Sequence, residues 1–437
     1  MKKRPASAPS KRAAPVPSRH PAPTPGPRLA LALVAGLLAV GIALRVVHFQ
    51  VNVYTPDEDA YAHFYALPMH SGGLGELPRL VREYNARPDM SQYPPPTRVG
   101  HLWAIVGLMD LTASSTIQTA ACVSAIASIL MLLLITRIGL GFLNAWVAVL
   151  ALLFAVVSPL DLALARRVWG DELVALLALA AAWAFLEHAA GGRHRSWKIA
   201  CLAFSGYSIL VKETGLLLLA LATIGLAAVA WRAAGARGAA GALLGGLITL
   251  LVSLATIAAA CGGLEPFLAT LARAASANPV TAYSRDYQSG GPLYYARGLA
   301  LLQPLPVALG LLSAALAAVR APLMCRSWES PRARGTLLTL AWLALGVSSV
   351  ALAWPLKNMR FLSPIYAPLD LLAASLLGSA MRWLRVRWPG TPFRVGVALG
   401  AAVLLAAAFA DHQRFVEFFI RRGIPDLATP WFLRAPG

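Results

Sequence analysis

Residues 99–138 read VGHLWAIVGLMDLTASSTIQTAACVSAIASILMLLLITRI. This stretch is apolar throughout and too long for one membrane crossing, which takes about 20 residues. Asp110 and the polar run Thr112-Ala113-Ser114-Ser115-Thr116 break it. It is either two crossings, or one crossing at about 117–136 preceded by a shallow or re-entrant helix. The choice fixes the side of every loop that follows.

The basic residues decide it. Further crossings are expected at about 141–159, 171–190, 197–211, 214–231, 239–261, 298–319, 336–354, 361–381 and 394–410. With a first helix at 29–47 and one crossing in 99–138, the total is about 11. The inner loops then carry Arg137; Arg193, Arg195 and Lys198; Arg232 and Arg237; Arg320, Arg326, Arg332 and Arg334; and Arg382, Arg385, Arg387 and Arg394, with Glu329 the one acid among them. Short basic loops stay on the cytoplasmic side. Two crossings in 99–138 would turn all of them outward, so the single crossing stands. The tail after Asp411 is the exception, because Arg414, Arg421 and Arg422 fall outside. Residues 412–437 are expected to lie flat as a short amphipathic segment built on Phe415, Phe418, Phe419 and Ile420.

Composition agrees with an all-α polytopic membrane protein. The chain is 58% hydrophobic and 13% charged, against about 25% charged for a soluble domain. Its mean hydropathy is +0.64. The net charge of +19 sits between apolar runs, the pattern of orientation signals, which argues against a nucleic-acid partner. Residues 1–28 are basic and rich in Pro and Ala, a composition that stays disordered. They hold the N-terminus in the cytoplasm ahead of an uncleaved first helix. The membrane domain is expected over 29–411. Cys122, Cys201, Cys261 and Cys325 have no metal-ligand spacing and read as small apolar residues.

The outer face collects the unusual charges. The first outer loop, 50–98, is too polar to span and is expected to hold surface helices. It begins with Tyr54-Thr55-Pro56-Asp57-Glu58-Asp59-Ala60-Tyr61, where three successive acids at a membrane helix exit need a reason. Thr55-Pro56-Asp57-Glu58 also reads as a capping box, with Thr55 at the N-cap and Glu58 reaching back. Other outer segments bring Arg166, Arg167 and Asp171; Lys212 and Glu213; Lys357 and Arg360; and a later loop, 262–297, with Tyr283, Tyr287, Tyr294 and Tyr295. Those tyrosines suit sugar stacking or an aromatic belt equally. His63 and His70 could share a helix face with Asp59, although ordinary loop residues explain them as well. Acids and bases meeting at one interface suit sugar transfer from a polyprenyl phosphate. A carboxylate takes the acceptor proton, cations stabilise the leaving phosphate, and a single displacement inverts the anomer. A transporter or flippase of lipid-linked sugars would instead place polar residues at mid-membrane with internal repeats. A non-catalytic assembly subunit is the other alternative.

Four landmarks then resemble the GT-C superfamily of polyprenyl-phosphate-sugar transferases. Its nearest members here are the protein O-mannosyltransferases and the bacterial lipid A aminoarabinose and galacturonic acid transferases. The landmarks are Asp57-Glu58-x-x-Tyr61; Tyr93-Pro94-Pro95-Pro96 followed by His101-Leu102-Trp103; Arg166-Arg167-Val168-Trp169-Gly170-Asp171; and Lys212 in Val211-Lys212-Glu213-Thr214-Gly215 together with Lys357 and Arg360-Phe361-Leu362-Ser363-Pro364. The resemblance implies a GT-C-like helical bundle with its site on the outer face of the bacterial inner membrane. It makes Asp57 the general base, with Glu58 orienting the site and Asp171 a second essential acid. Tyr61, Arg166, Arg167, Lys212, Lys357 and Arg360 would bind substrate, the last three at the lipid phosphate. Gln92 and Tyr93 stand where some relatives carry an acid before the Pro-Pro segment, so a divalent metal is possible but not favoured, and no other cofactor is implied. The acceptor, whether lipid, glycan or protein, is not written in the sequence.

Overall fold

The computed structural model describes residues 27–47, 55–190, 194–277, 282–291, 293–320 and 331–434. The disordered tail expected over 1–28 lies almost wholly outside them, as do Cys325 and Arg326. Among the described residues the regular structure is entirely helical. The helices are α1 (Pro27–Val47), α2 (Pro56–Asp59), α3 (Leu67–Gly72), α4 (Leu77–Ala86), α5 (Val99–Thr112), α6 (Ile117–Ile138), α7 (Ala145–Val157), α8 (Pro159–Leu164), α9 (Asp171–Ala190) and α10 (Arg195–Val211). They continue as α11 (Gly215–Ala260), α12 (Leu264–Ala277), α13 (Ala282–Tyr287), α14 (Leu293–Leu302), α15 (Pro304–Arg320), α16 (Pro331–Ala353), α17 (Ser363–Arg387), α18 (Thr391–Phe415) and α19 (Thr429–Arg434).

Seven of the helical stretches are long and apolar enough to cross a membrane, and α5, α7 and α15 are shorter apolar helices. The 46-residue α11 is two antiparallel helices joined at Ala234 and Gly235. Gly235 has φ 63° and ψ −151°, a backbone that glycine adopts without cost. A Cβ placed on Gly246 would touch the Thr223 side chain, so the two halves run back along each other. α11 is therefore long enough for two of the expected crossings.

In 99–138 one stretch, beginning at Ile117, is long and apolar enough to cross a membrane, and the preceding α5 is a shorter apolar helix. Gly100 opens α5 against the end of α10: its added Cβ would lie 2.9 Å from Leu210, and Tyr207 Oη donates to its carbonyl at 3.0 Å. At the far end of α5, Asp110 meets His70 of α3 at 2.6 Å. The helical run from Pro56 to Gly72, α2 to α3 through a π-helical stretch at Ala60–Ala66, thus lies along α5, with Tyr61 edge-on to His101. Ser124, already in the third turn of α6, still donates to the Trp169 carbonyl in the loop before α9, at 3.0 Å. Both ends of α5 therefore stay at the end of the bundle that carries the first loop, hereafter the site end.

The basic residues gather at the opposite end. Arg137 pairs with Glu187 at 2.6 Å, and the Arg137 and Arg332 guanidinium groups lie over the Phe142 ring. Lys198 reaches the Gly241 carbonyl beside the α11 turn at 3.4 Å. α1 is packed into the bundle. A Cβ on Gly41 would lie 2.7 Å from Leu132 and 2.8 Å from Val156. The buried Arg45 donates to Ser128 Oγ at 2.5 Å and to the Gly41 and Ala155 carbonyls, which satisfies a charge that bare hydrocarbon would not tolerate.

The C-terminal segment stays at the site end. α18 runs into a π-helical stretch, Val416–Arg421, and the chain reverses at Gly423, φ 59°. Arg414 pairs with Asp411, and Arg421 and Arg422 pair with Glu417. The three arginines that broke the positive-inside pattern are thus paired locally, Arg421 and Arg422 sharing Glu417.

Close packing between α15 and α17 gives a first test. A Cβ on Gly310 would lie 2.6 Å from the Leu369 carbonyl oxygen and 3.0 Å from its Cα, and backbone cannot move aside as a side chain can. Gly310→Leu should cost about 1–3 kcal/mol or more through overpacking and lower the thermal unfolding temperature in detergent. Gly36→Leu, where nothing lies within 4 Å, should leave that temperature unchanged.

Candidate active site

The site is built from the segments around Thr55, Arg98, Asp171, Lys212 and Arg360. Thr55 caps α2 in a full capping box. Pro56 stands at N1, where its missing N–H costs nothing. Glu58 is fully buried, and its carboxylate is saturated. It accepts from the Thr55 N–H at 2.8 Å, from Thr55 Oγ1 and Arg167 at 3.1 Å each, and from the Val168 N–H at 3.1 Å. Arg167 also donates to the Ile424 carbonyl at 3.1 Å. Glu58 and Arg167 therefore pin the first loop to the second and to the C-terminal segment, and neither faces open space.

Asp57, one residue earlier, points the other way. Arg360 Nη1 and Nη2 both donate to its Oδ2, at 3.1 and 3.2 Å, which leaves Oδ1 free to accept another hydrogen bond. The Asp57 side chain is 29% exposed. Arg360 sits in a short 3₁₀ turn, Met359–Leu362, capped by Asn358 Oδ1 on the Arg360 N–H at 3.0 Å. Its guanidinium lies 4.9 Å from the Trp169 ring centroid, and its Nε is buried without a hydrogen-bond partner.

A second pair lies beside the first. Lys212 follows the end of α10, and its ammonium donates to Asp171 Oδ1 at the start of α9. The Lys212 Nζ also stands 5.0 Å from the Phe361 ring centroid, next to Arg360. Both partners are nearly buried. Burial pulls the Lys212 ammonium below the ordinary lysine value, against the opposing pull of Asp171.

A third pair flanks them. Arg98 holds Glu213 through two bonds, at 3.1 and 3.0 Å, and donates to the Tyr61 hydroxyl. Burial pushes the Tyr61 hydroxyl up. Burial would likewise raise Glu213, but Arg98 outweighs it and holds the carboxyl below its usual range.

The other expected site residues stand elsewhere. Lys357 is not brought to the cluster. Its ammonium donates to the Ala351, Leu352 and Trp354 carbonyls, capping the end of α16. Arg166 lies over the Phe415 ring, where burial and the neighbouring Arg167 pull it down to about 10. His63 bonds to Asp59 and His70 to Asp110, so the two histidines do not converge. Among the described residues no group of three or more His, Cys, Asp and Glu side chains is placed to hold a metal ion.

Sequence reasoning placed the first outer loop, whose last residue is Arg98, and Glu213 on this face without giving either residue a role. It missed Trp169 and Asp426. The chain from Gly423 to Arg434 folds across the site end. Asp426 accepts from Asn358 Nδ2 at 3.2 Å, from the Leu427 N–H at 2.6 Å and from the Tyr283 hydroxyl. Trp431 stacks on Tyr287 at 4.8 Å, and Tyr287 on Tyr283 at 5.3 Å. Charge spacing in the sequence carried no signal for this, because the contacts depend on the chain reversing at Gly423.

With this geometry in view, comparison with known proteins is informative. Residues 95–258 match the family model described as dolichyl-phosphate-mannose-protein mannosyltransferase. The matched stretch holds Asp171 and Lys212, whereas Asp57 and Arg360 lie outside it. The oligosaccharyltransferase of Archaeoglobus fulgidus, solved with a tethered acceptor peptide, superposes with a TM-score of 0.56 at 12% identity, over 89% of this chain and 55% of that one. ArnT from Cupriavidus metallidurans, bound to undecaprenyl phosphate, superposes with a TM-score of 0.52 at 16% identity, over 89% of this chain and 74% of that one. The archaeal oligosaccharyltransferase AglB, also from Archaeoglobus fulgidus, in complex with dolichol phosphate gives 0.55 at 13%, over 92% and 56%. A search of curated protein sequences finds no match. The chain has the fold of the GT-C superfamily of membrane glycosyltransferases. Residues 95–258, less than half of the chain, are similar to the mannosyltransferase family model, and the chain spans little more than half the length of the oligosaccharyltransferases.

The geometry separates Glu58 from Asp57 by a stability measurement. Glu58→Ala takes away the carboxylate that the buried Arg167 pairs with and should cost about 3–5 kcal/mol, read as a large fall in thermal unfolding temperature. Asp57→Asn, partly exposed and able to keep a hydrogen bond to Arg360, should change that temperature little.

Proposed function

We propose that the protein is an inverting glycosyltransferase that moves a sugar from a polyprenyl phosphate to a hydroxyl group of a lipid, glycan or protein. The observation that carries this reading is the pairing of Asp57 with Arg360 beside Asp171 with Lys212 at one end of the bundle. Two carboxylates and two cations within one cluster supply a base and a phosphate clamp together.

Asp57 takes the proton of the acceptor hydroxyl through Oδ1 as the oxygen attacks the anomeric carbon. The bond from that carbon to the phosphate oxygen breaks, and Arg360 and Lys212 stabilise the charge on the departing phosphate. The buried, unpartnered Nε of Arg360 is a donor in reserve for it. Asp171 holds Lys212 in place, and Phe361 lies against its ammonium. Tyr61 and Arg98 with Glu213 form the neighbouring wall. Glu58 and Arg167 fix the loop that presents Asp57.

The lipid has somewhere to lie. A cavity of ≈ 870 Å³ runs between α9, α11 and α16, lined among others by Ala178, Phe185, Leu218, Gly225, Leu338 and Trp342. It begins at Leu218, in the first turn of α11 just past Lys212, and continues to Arg232, about 21 Å along a helix axis. Its near end lies in the first turn of α11 and its far end reaches Phe142 and Arg332 at the opposite end of the bundle, so a lipid tail seated in it would run from the clamp's side toward the basic end. With the basic loops in the cytoplasm, the site end faces outward from a bacterial inner membrane.

Two outcomes test the reading. A deletion strain, profiled by mass spectrometry of its glycolipids and glycans, should lack one sugar-bearing species and accumulate its unmodified acceptor. Wild-type protein should restore the species, and Asp57→Asn should not, although it is inserted normally; restoration by Asp57→Asn would remove Asp57 as the base. The second outcome is a pH profile. The clamp needs a charged Lys212, whose value is lowered by burial, so clamping is lost with rising pH sooner than for a free lysine. Lys212→Arg should carry the alkaline limb of turnover upward by about one unit or more, because arginine stays charged.

A further inference from the structure

Arg360 is flanked by more acid than it needs. Besides Asp57, a second carboxylate is tied to the turn that carries it: Asp426 accepts from Asn358 Nδ2 at 3.2 Å. Asp426 is buried and belongs to the C-terminal segment, more than sixty residues further along the chain. That segment is fastened from several sides. The Met359 N–H donates to the Leu427 carbonyl at 3.0 Å. Arg167 donates to the Ile424 carbonyl at 3.1 Å. Thr429 donates from its N–H to the Tyr294 hydroxyl and from Oγ1 to the Tyr294 carbonyl, both at 3.0 Å. Asp426 is therefore a fixed charge, held by Asn358, Tyr283 and the Leu427 N–H, beside a turn whose only cation toward Asp57 is Arg360.

Three carboxylates, Asp57, Asp171 and Asp426, thus face two cations, Lys212 and Arg360, with Arg98 already taken by Glu213. For a site that binds an anion this balance is unfavourable, and removing Asp171 or Asp57 would remove a working part. Asp426 touches neither the acceptor side of Asp57 nor Lys212. We propose that Asp426 is a positioning residue that sets how tightly Arg360 holds the lipid phosphate, keeping it weak enough for the spent carrier to leave. The inference rests on the phosphate clamp proposed above. Its physical content is electrostatic. A fixed negative charge next to Arg360 offsets part of the attraction for a phosphate that carries one or two negative charges, and in a partly buried site that offset is large.

The test is the affinity of full-length protein, in phosphatidylcholine nanodiscs, for undecaprenyl phosphate. Asp426→Asn keeps the shape and removes the charge. It should bind the lipid phosphate about threefold to tenfold more tightly than wild type and release it more slowly. Asp426→Glu, which keeps the charge, should stay near the wild-type value. Tyr283→Phe removes a donor that screens Asp426 and should shift the affinity the opposite way, toward weaker binding. A merely structural role would weaken binding in all three. If Asp426→Asn does not fold, Asp426→Ser removes the same charge with a smaller side chain and should likewise bind the lipid phosphate more tightly than wild type. Unchanged or weaker binding by a folded Asp426→Asn, or tighter binding by Tyr283→Phe, overturns the inference. The underlying clamp fails separately: wild type that does not bind undecaprenyl phosphate, or binding that survives Arg360→Gln, would sink the clamp itself.

Discussion

The ion pair between Asp57 and Arg360 joins residues 303 apart in sequence, and the arrangement at the site end depends on both arriving together. Each is brought there by its own scaffold. Asp57 is held by the capping box of α2 and by Glu58, which is locked to Arg167 and Val168. Arg360 is held by the Asn358-capped turn and by the strap that carries Asp426. A charge at the rim of a bilayer is expensive unless it is paired. The pairing makes it affordable to keep a carboxylate partly exposed where a hydroxyl can reach it.

The bundle supplies the rest of the constraint. Antiparallel helices alternate their ends, so the loops before α9, between α10 and α11, and before α17 meet on one side, while the arginines that fix orientation collect on the other. The reversal at Gly235 divides α11 and keeps this alternation in step. α5 does not disturb it, because it lies at the site end against α3 and the tip of α10. The apolar trough runs between α9, α11 and α16, and α9 begins at Asp171 while α11 begins just past Lys212.

Much of this was readable from residue types. The acids of 57–59 were conspicuous beside an apolar helix, and Thr55-Pro56-Asp57-Glu58 announced its own capping geometry. The basic loops gave an expected parity for 99–138 because each short loop counts separately. Lys212 and Asp171 stood out as charges at helix ends. What escaped depends on contacts that sequence does not encode locally. The family resemblance implied a phosphate role for Lys357, whereas its ammonium donates to three carbonyls at the end of α16, an acceptor set that only the folded backbone reveals. Arg98 and Glu213 lie 115 apart, and nothing in either neighbourhood announces the other. Asp426 was hidden in a tail that read as an amphipathic surface segment, because the turn at Gly423 was not recognised as the start of a return path.

The central claim is a single displacement with Asp57 as base, and the stereochemistry of the product tests it most directly. Purified protein would be given a polyprenyl-phosphate sugar of known anomeric configuration and its acceptor, and the new glycosidic bond would be examined by NMR coupling at the anomeric proton. Inversion of configuration is the expected result. Retention would require a second displacement through a covalent or equivalent intermediate, and would contradict the assignment of Asp57 to proton removal alone.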